Sequence, residues 1–340
     1  MAPPVSGFNL NKNGVPNFED LPLRKDAPRL AAWGLYGDDD QLGFLNRLTD
    51  ERVAAAAREE IKTGKRVSLN WPMTAQPHRA FFGRAVFHQE VINKAPRTVN
   101  DDTWSFNTQV SSQWDGLRHF GYQDEKVFYG GVTQRDIHSR GEGGERSEVL
   151  GIHSWSEEGI MGRGVLIDYH SWRTSPEGRA QSKVENYDAF ETVSIPLEDL
   201  EACLKAQDTE LKFGDILFIR SGFMAALATK SSEQIWNHQD VVPHPFGGVQ
   251  QSEEVLRWIW DHFSAVAGDQ PSFEVWPSKE KWAMHEVLLA GWGCPIGELF
   301  DLEKLADTCK KEGRWSFFCS SEPCNVPGGV ASPPNAVAIF

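Results

Sequence analysis

Excess positive charge is what this chain most plainly lacks. Lys and Arg number 34 against 48 Asp and Glu, for a formal net charge of −14. Such a surface repels phosphate backbones, which argues against nucleic acid as a partner. Long apolar runs are missing too. None approaches the ~20 residues that cross a bilayer, so no membrane span is expected. The opening MAPPVSGFNLNKNGVPNF does not show the charged-then-apolar order of a secretory leader. The closing AVAIF is too short for an anchor and does not end in a peroxisomal tripeptide. Cysteine is sparse and odd in number. Cys203, Cys294, Cys309, Cys319 and Cys324 show no paired metal spacing and are read as free thiols of a cytoplasmic protein. Internal repeats and low-complexity blocks are absent as well.

What is present is an ordinary globular composition, 40% hydrophobic and 24% charged, enough for a sizeable core. A length of 340 residues allows one large domain or two small ones. The 30 Gly and 19 Pro predict many turns and long ordered loops rather than a helical bundle. The 13 Trp are unusual. Most are assigned to core packing, with some rings left to line a pocket for a flat or aromatic ligand.

Residues 1–46, rich in Pro, Gly and Asn, read as extended. A helix is expected from an N-cap at Asp50, with Val53, Ala54, Ala57 and Ile61 on one face and Gly64 as its stop. Ser252 caps an amphipathic helix that turns Val255, Leu256, Ile259 and Phe263 inward. Further helices are expected over Trp282–Ala290 and from Asp301 through Lys311. Strands are expected at Arg66–Trp71, Thr103–Trp114, Gly164–Asp168, Thr192–Ile195, Asp215–Arg220, Ser264–Ala267, Trp315–Ser320 and Ala336–Phe340. These elements mix without a regular βαβ rhythm, which favours an α+β fold.

The chemistry concentrates in Gln109-Val-Ser-Ser-Gln113-Trp-Asp115-Gly-Leu-Arg118-His119-Phe120. In a strand, side chains alternate faces, so Gln109, Ser111, Gln113 and Asp115 would share one. A helix would set Gln113 and Asp115 about 200° apart. The strand would present two amide oxygens and a carboxylate in a row, suited to a hard divalent cation. Gly116 permits a turn that brings His119 back. The plainer alternative is a polar strand face bonded to neighbouring backbone.

This segment resembles the signature of the cyclase family, the group that includes bacterial kynurenine formamidase: His-x-Gly-Thr-His-x-Asp-x-Pro-x-His-Phe. Aligned on Asp115, the signature's first two His fall on Gln109 and Gln113, its Gly-Thr on Ser111-Ser112, and its last His-Phe on His119-Phe120. The Asp and the last His match, while both metal-binding His are replaced by Gln. A longer, fungal-type branch of the family is similar in its Ser-Gln-Trp-Asp-Gly-Leu-Arg-His-Phe core. The resemblance extends through Trp33–Asn46, Gly162–Asp168, Phe213–Gly222, Ala267–Glu274 and His285–Glu298, so residues 33–340 are read as a single cyclase-like domain behind an N-terminal arm, 1–32.

The resemblance implies a barrel-like central β-sheet with outer helices, of the swivelling β/β/α kind, usually in homodimers or homotetramers. It implies a divalent metal (Mn, Zn or Mg) held by Gln109, Gln113, Asp115, His285 and Glu298, with His119 as acid/base. It implies hydrolysis of an amide or lactone in a small cyclic or aromatic substrate. Arg118, Tyr122 and His153 are weaker candidates for touching that substrate. Two rivals are a lyase or isomerase that closes or rearranges a ring, and a binding protein that has lost its metal. Retention of Asp115, His119, His285 and Glu298 together argues against the second.

Overall fold

Near-continuous apolar runs build the middle of the molecule. In the computed structural model, which describes residues 8–340, Ile160–Ile167, Asp215–Ile219, Phe263–Gly268 and Ile296–Glu298 lie side by side as parallel strands. Almost all of their residues are buried, as strands covered on both faces require. The full sheet has nine strands, in the order Arg66–Ser68, Val337–Ile339, Ser316–Ser321, the four parallel strands, Gln113–Asp115 and Ala331–Ser332. All pairings outside the central four are antiparallel.

The sheet is open. Closing a barrel requires the two edge strands to pair, and Arg66–Ser68 and Ala331–Ser332 do not. The barrel-like expectation is corrected to a large mixed sheet. The reading without βαβ units is also corrected in the middle, where the crossovers between parallel strands carry Leu197–Ala206 and Glu253–His262. That rhythm is masked in the sequence because short helices, Tyr169–Thr174 and Pro176–Gln181, and the two-residue strand Ser194–Ile195 break up the first crossover.

Local rules account for most boundaries. The first long helix runs Asp50–Glu60, with the Thr49 hydroxyl, one residue earlier than expected, accepting from Arg52 N. Ser252 caps Glu253–His262 as its position predicts. The strand expected over Thr103–Trp114 is two strands with a turn between them. Asn100–Ser105 pairs with His88–Asn93 in an exposed hairpin, and only Gln113–Asp115 joins the main sheet. Between them the Asn107 side chain accepts from Gln109 N at 2.9 Å and its carbonyl accepts from Val110 N, an Asx turn that outcompetes extended pairing.

The first seven residues of the N-terminal arm lie outside the described residues. Val15, Phe18, Leu21 and Leu30 pack into the main hydrophobic cluster, and the Trp260 and Trp292 indoles donate to Pro16 and Leu30 carbonyls. No helix among the described residues is long and apolar enough to cross a membrane.

Asp269, at the end of Phe263–Gly268, ties that strand to the short helix Phe223–Leu227 that follows the neighbouring strand. Its fully buried carboxylate accepts from Ser221 N and Oγ, Gly222 N and Met224 N, at 2.6–3.2 Å. Asp269→Ala strands these donors in a dry interior, and it is expected to lower unfolding stability by about 3 kcal/mol or more. Chemical denaturation measures this; a loss below about 1 kcal/mol would mean that water replaces the carboxylate.

Candidate active site

Three short elements deliver the chemistry. Gln113 and Asp115 stand on one face of Gln113–Asp115, and in the antiparallel register Gln113 faces Glu298 and Asp115 faces Ile296. His285 lies at the start of a π-helical turn, Glu286–Gly291, a geometry frequent at functional sites. His119 follows the strand by four residues, its N–H turning back to Gly116 O at 2.9 Å. Two constraints hold Glu298. At Gly297 any Cβ would meet Ala267, Phe300 and the buried Trp114 ring at 2.7–2.8 Å. Leu299 is forced to φ +55, pinned by Leu299 N to Gln270 O and by Ser112 Oγ donating to Leu299 O at 2.6 Å.

One ligand atom each from Asp115, His119 and His285 lies within 4.8 Å of the others. His119 Nε2 and His285 Nε2 stand 3.8 and 4.0 Å from Asp115 Oδ2. Glu298 Oε1 is 3.2 Å from His285 Nε2 and accepts from Phe273 N, while its Oε2 accepts from Gln113 Nε2 at 2.9 Å. Gln109 Nε2 donates to Asp115 Oδ1 at 2.7 Å and sits 3.3 Å from the His119 ring nitrogens. All six residues expected at the site therefore come together. Gln113 and Asp115 share a strand face as expected, while a turn and a cross-strand pair bring in the others, and Gln109 braces Asp115 through its amide nitrogen.

Glu274 completes the group and carries no role in the sequence reading. It is buried, and its Oε2 takes the His285 Nδ1 hydrogen at 2.6 Å while Oε1 accepts from His285 N. This fixes the ring so that Nε2 faces Asp115 and Glu298, an arrangement typical of metal-binding histidines. The available signal was a Glu in an apolar stretch, which needs a buried partner.

Charge is out of balance here. Asp115, Glu274 and Glu298 are 0–2% exposed, and no Lys or Arg forms an ion pair with any of them among the described residues. Burial and the neighbouring Asp115 charge push the Glu298 carboxyl up to about 7, although His285 opposes the shift. Burial works against a charge on His285, yet Glu274 and Glu298 outweigh it and hold its pKa well above the usual value. At His119 burial dominates, helped by the His285 and Arg84 charges against that of Asp115, so its pKa is lowered. Gln113 Oε1 and Asp115 Oδ2 are buried with no hydrogen-bond partner. Orphaned oxygens beside an excess of carboxylate suit a divalent cation, and a set dominated by oxygen suits a hard one.

The cluster opens into a cavity of about 200 Å³ lined by Phe82, Arg84, His119, Phe120, Trp276 and His285 among others. Cavities of about 410 and 840 Å³ elsewhere hold none of the cluster residues, so chemistry rather than size marks the site. The weaker candidates lie apart from it. The Arg118 guanidinium donates to the Val149, Gly328 and Ser147 carbonyls, Tyr122 Oη donates to Arg29 O, and His153 Nδ1 accepts from Gly328 N. None of the three lines the cavity. Asp168 and Asp215 pair with Arg220 and Arg163, in line with structural roles at strand ends.

An open mixed sheet with a largely buried Asp–His–His cluster beside its strand Gln113–Asp115 defines the class, and comparison with known proteins defines the family. The Cyclase family matches residues 45–275, more than half of the chain. A solved structure described as a novel cyclase is 32% identical, covering 91% of this chain and 99% of its own, with a TM-score of 0.77. The chain belongs to the cyclase family. Isatin hydrolase A from Labrenzia aggregata, bound to benzyl benzoate, shares the fold at 12% identity and a TM-score of 0.53, covering 86% of this chain and 98% of its own. An isatin hydrolase bound to the product analogue thioisatinate does so at 10% identity and 0.51, covering 84% and 95%. No curated protein matches the chain.

The two Gln make a direct test of metal preference. Imidazole suits zinc better than an amide does. The double variant Gln109→His, Gln113→His is expected to bind Zn²⁺ at least about ten-fold more tightly than wild type, with little gain for Mg²⁺. Calorimetric titration with Zn²⁺, Mn²⁺ and Mg²⁺ measures it; equal zinc affinity in both proteins would show that the amides do not set it.

Proposed function

We propose that the protein is a metal-dependent hydrolase that opens an amide or lactone bond in a small cyclic or aromatic substrate, with His119 as general acid/base. The observation that carries this reading is the Asp115, His119 and His285 cluster, with the orphaned oxygens of Gln113 and Asp115, beside a cavity walled by Phe82, Phe120 and Trp276. Asp115, His285, Glu298 and Gln113 would hold a divalent cation, which when bound would polarise the scissile carbonyl and acidify a water.

The rest falls to the chain's own side chains. His119, at 22% side-chain exposure, is the most open member of the cluster, whereas Asp115, His285 and Glu298 are 0–9% exposed. Its imidazole, kept neutral by burial, takes a proton from the attacking water and returns it to the departing nitrogen or oxygen. Gln109 holds Asp115, and Glu274 holds His285, so neither turns away as charge moves. Aromatic walls favour a flat substrate. Cyclase membership and a fold shared with two isatin hydrolases support hydrolysis by analogy. The reading extends to a homodimer or homotetramer in the cytoplasm.

A screen of cyclic amides and lactones with Mn²⁺, Zn²⁺ and Mg²⁺, read by mass spectrometry, tests the reaction. Hydrolysis adds one water to the substrate, whereas a lyase or isomerase does not. His119→Ala is expected to lower kcat by roughly 10²–10⁴-fold with little change in stability, and chelation is expected to abolish turnover until the metal is restored. Full turnover after chelation would exclude the mechanism, and near-full activity of His119→Ala would assign the proton transfer to another group.

A further inference from the structure

A cation also lines the cavity. Arg84 is half-buried on its wall, beside Gln109. Several other inward arginines have their charges or donors engaged, whereas Arg47, outside this cavity, donates to two carbonyls and leaves Nη2 without a partner. Arg163 pairs with Glu60 and Asp215, Arg220 with Asp168 and Glu303, Arg314 with Glu60, and Arg118 donates to three carbonyls. Arg84 makes one hydrogen bond, from Nη1 to Gln109 O at 2.9 Å, and its guanidinium lies 5.1 Å from the Phe82 ring centroid. No carboxylate forms an ion pair with it among the described residues. A half-buried guanidinium with most of its donors unused, on a cavity wall, suits a ligand that brings the acceptor.

We propose that Arg84 is the specificity-determining residue of this site, binding a carboxylate carried by an aromatic substrate whose ring packs among Phe82, Phe120 and Trp276. The proposal rests on the hydrolase reading and names its substrate class. A guanidinium offers a planar pair of N–H donors matched to a carboxylate, and stacking on an aromatic ring holds that fork in place. The three buried carboxylates would repel an anion placed among them, so the substrate's charge belongs on Arg84 and its reacting bond beside His119. Size agrees: cavities on the order of 150 Å³ accept a benzene ring, and this one is about 200 Å³.

The probes are benzoate and its neutral isostere benzamide, titrated calorimetrically into the protein as purified, Arg84→Gln and Arg84→Lys. Wild type is expected to prefer benzoate by about ten-fold or more, the scale of a charge-assisted hydrogen bond. Arg84→Gln is expected to lose that preference with benzamide affinity unchanged, and Arg84→Lys to retain part of it. No preference in wild type, or the same preference in Arg84→Gln, would overturn the proposal. Binding requires no turnover, so the two readings fail separately. An Arg84-dependent preference without hydrolysis of any substrate rejects the hydrolase and keeps the anion site. Hydrolysis with a preference indifferent to Arg84 does the reverse.

Discussion

Three carboxylates buried around one imidazole are the constraint on which the rest of this structure depends. Asp115, Glu274 and Glu298 are almost fully removed from water, and His285 is the imidazole they share most closely. Burying an unpaired carboxylate is expensive, and breaking a buried pair costs about 3–5 kcal/mol. The fold answers with donors wherever it has them: the Gln109 and Gln113 amides, Phe273 N and His285 N. The remaining imbalance is what makes a divalent cation the natural complement of the site.

Holding this group in register requires rigid surroundings. Gln113 and Glu298 meet because their strands pair, and those strands can lie so close because Gly297 leaves room for the Trp114 ring. The left-handed Leu299 ends the strand and lets the chain turn away at once, with backbone and Ser112 contacts enforcing a conformation a non-glycine residue otherwise avoids. The turn Ala80–Arg84 is divided in the same spirit. Phe81 packs against Phe223 and Phe246 in a second hydrophobic cluster, while Phe82 and Arg84 face the cavity.

The cavity thereby brings acid groups and a proton carrier together with a guanidinium that no carboxylate pairs among the described residues. This division of labour also separates two arginines that look alike in sequence. Arg118 stands beside His119 in the motif, yet its side chain ties the loops at 147–149 and 328 together. Arg84 stands in a stretch with little periodicity, yet it reaches the site.

Several things were legible from residue order alone. Apolar runs located the core strands, Ser252 located a helix start, and the resemblance of residues 109–120 and 285–298 to the cyclase family pointed to the family and to the group that converges. Short-range chemistry explains the strands, the cap and the motif at 109–120, which act within a dozen residues, whereas His285 and Glu298 were reached only through the resemblance. Tertiary structure decided what depends on distant partners. The nine strands form an open sheet because the two edges never meet. An Asx turn at Asn107 overrode the extended pattern. Glu274 became the anchor of His285, and Arg84 rather than Arg118 became the charge in the cavity, because burial and proximity are set by packing between segments whose separation along the chain carries no trace of them.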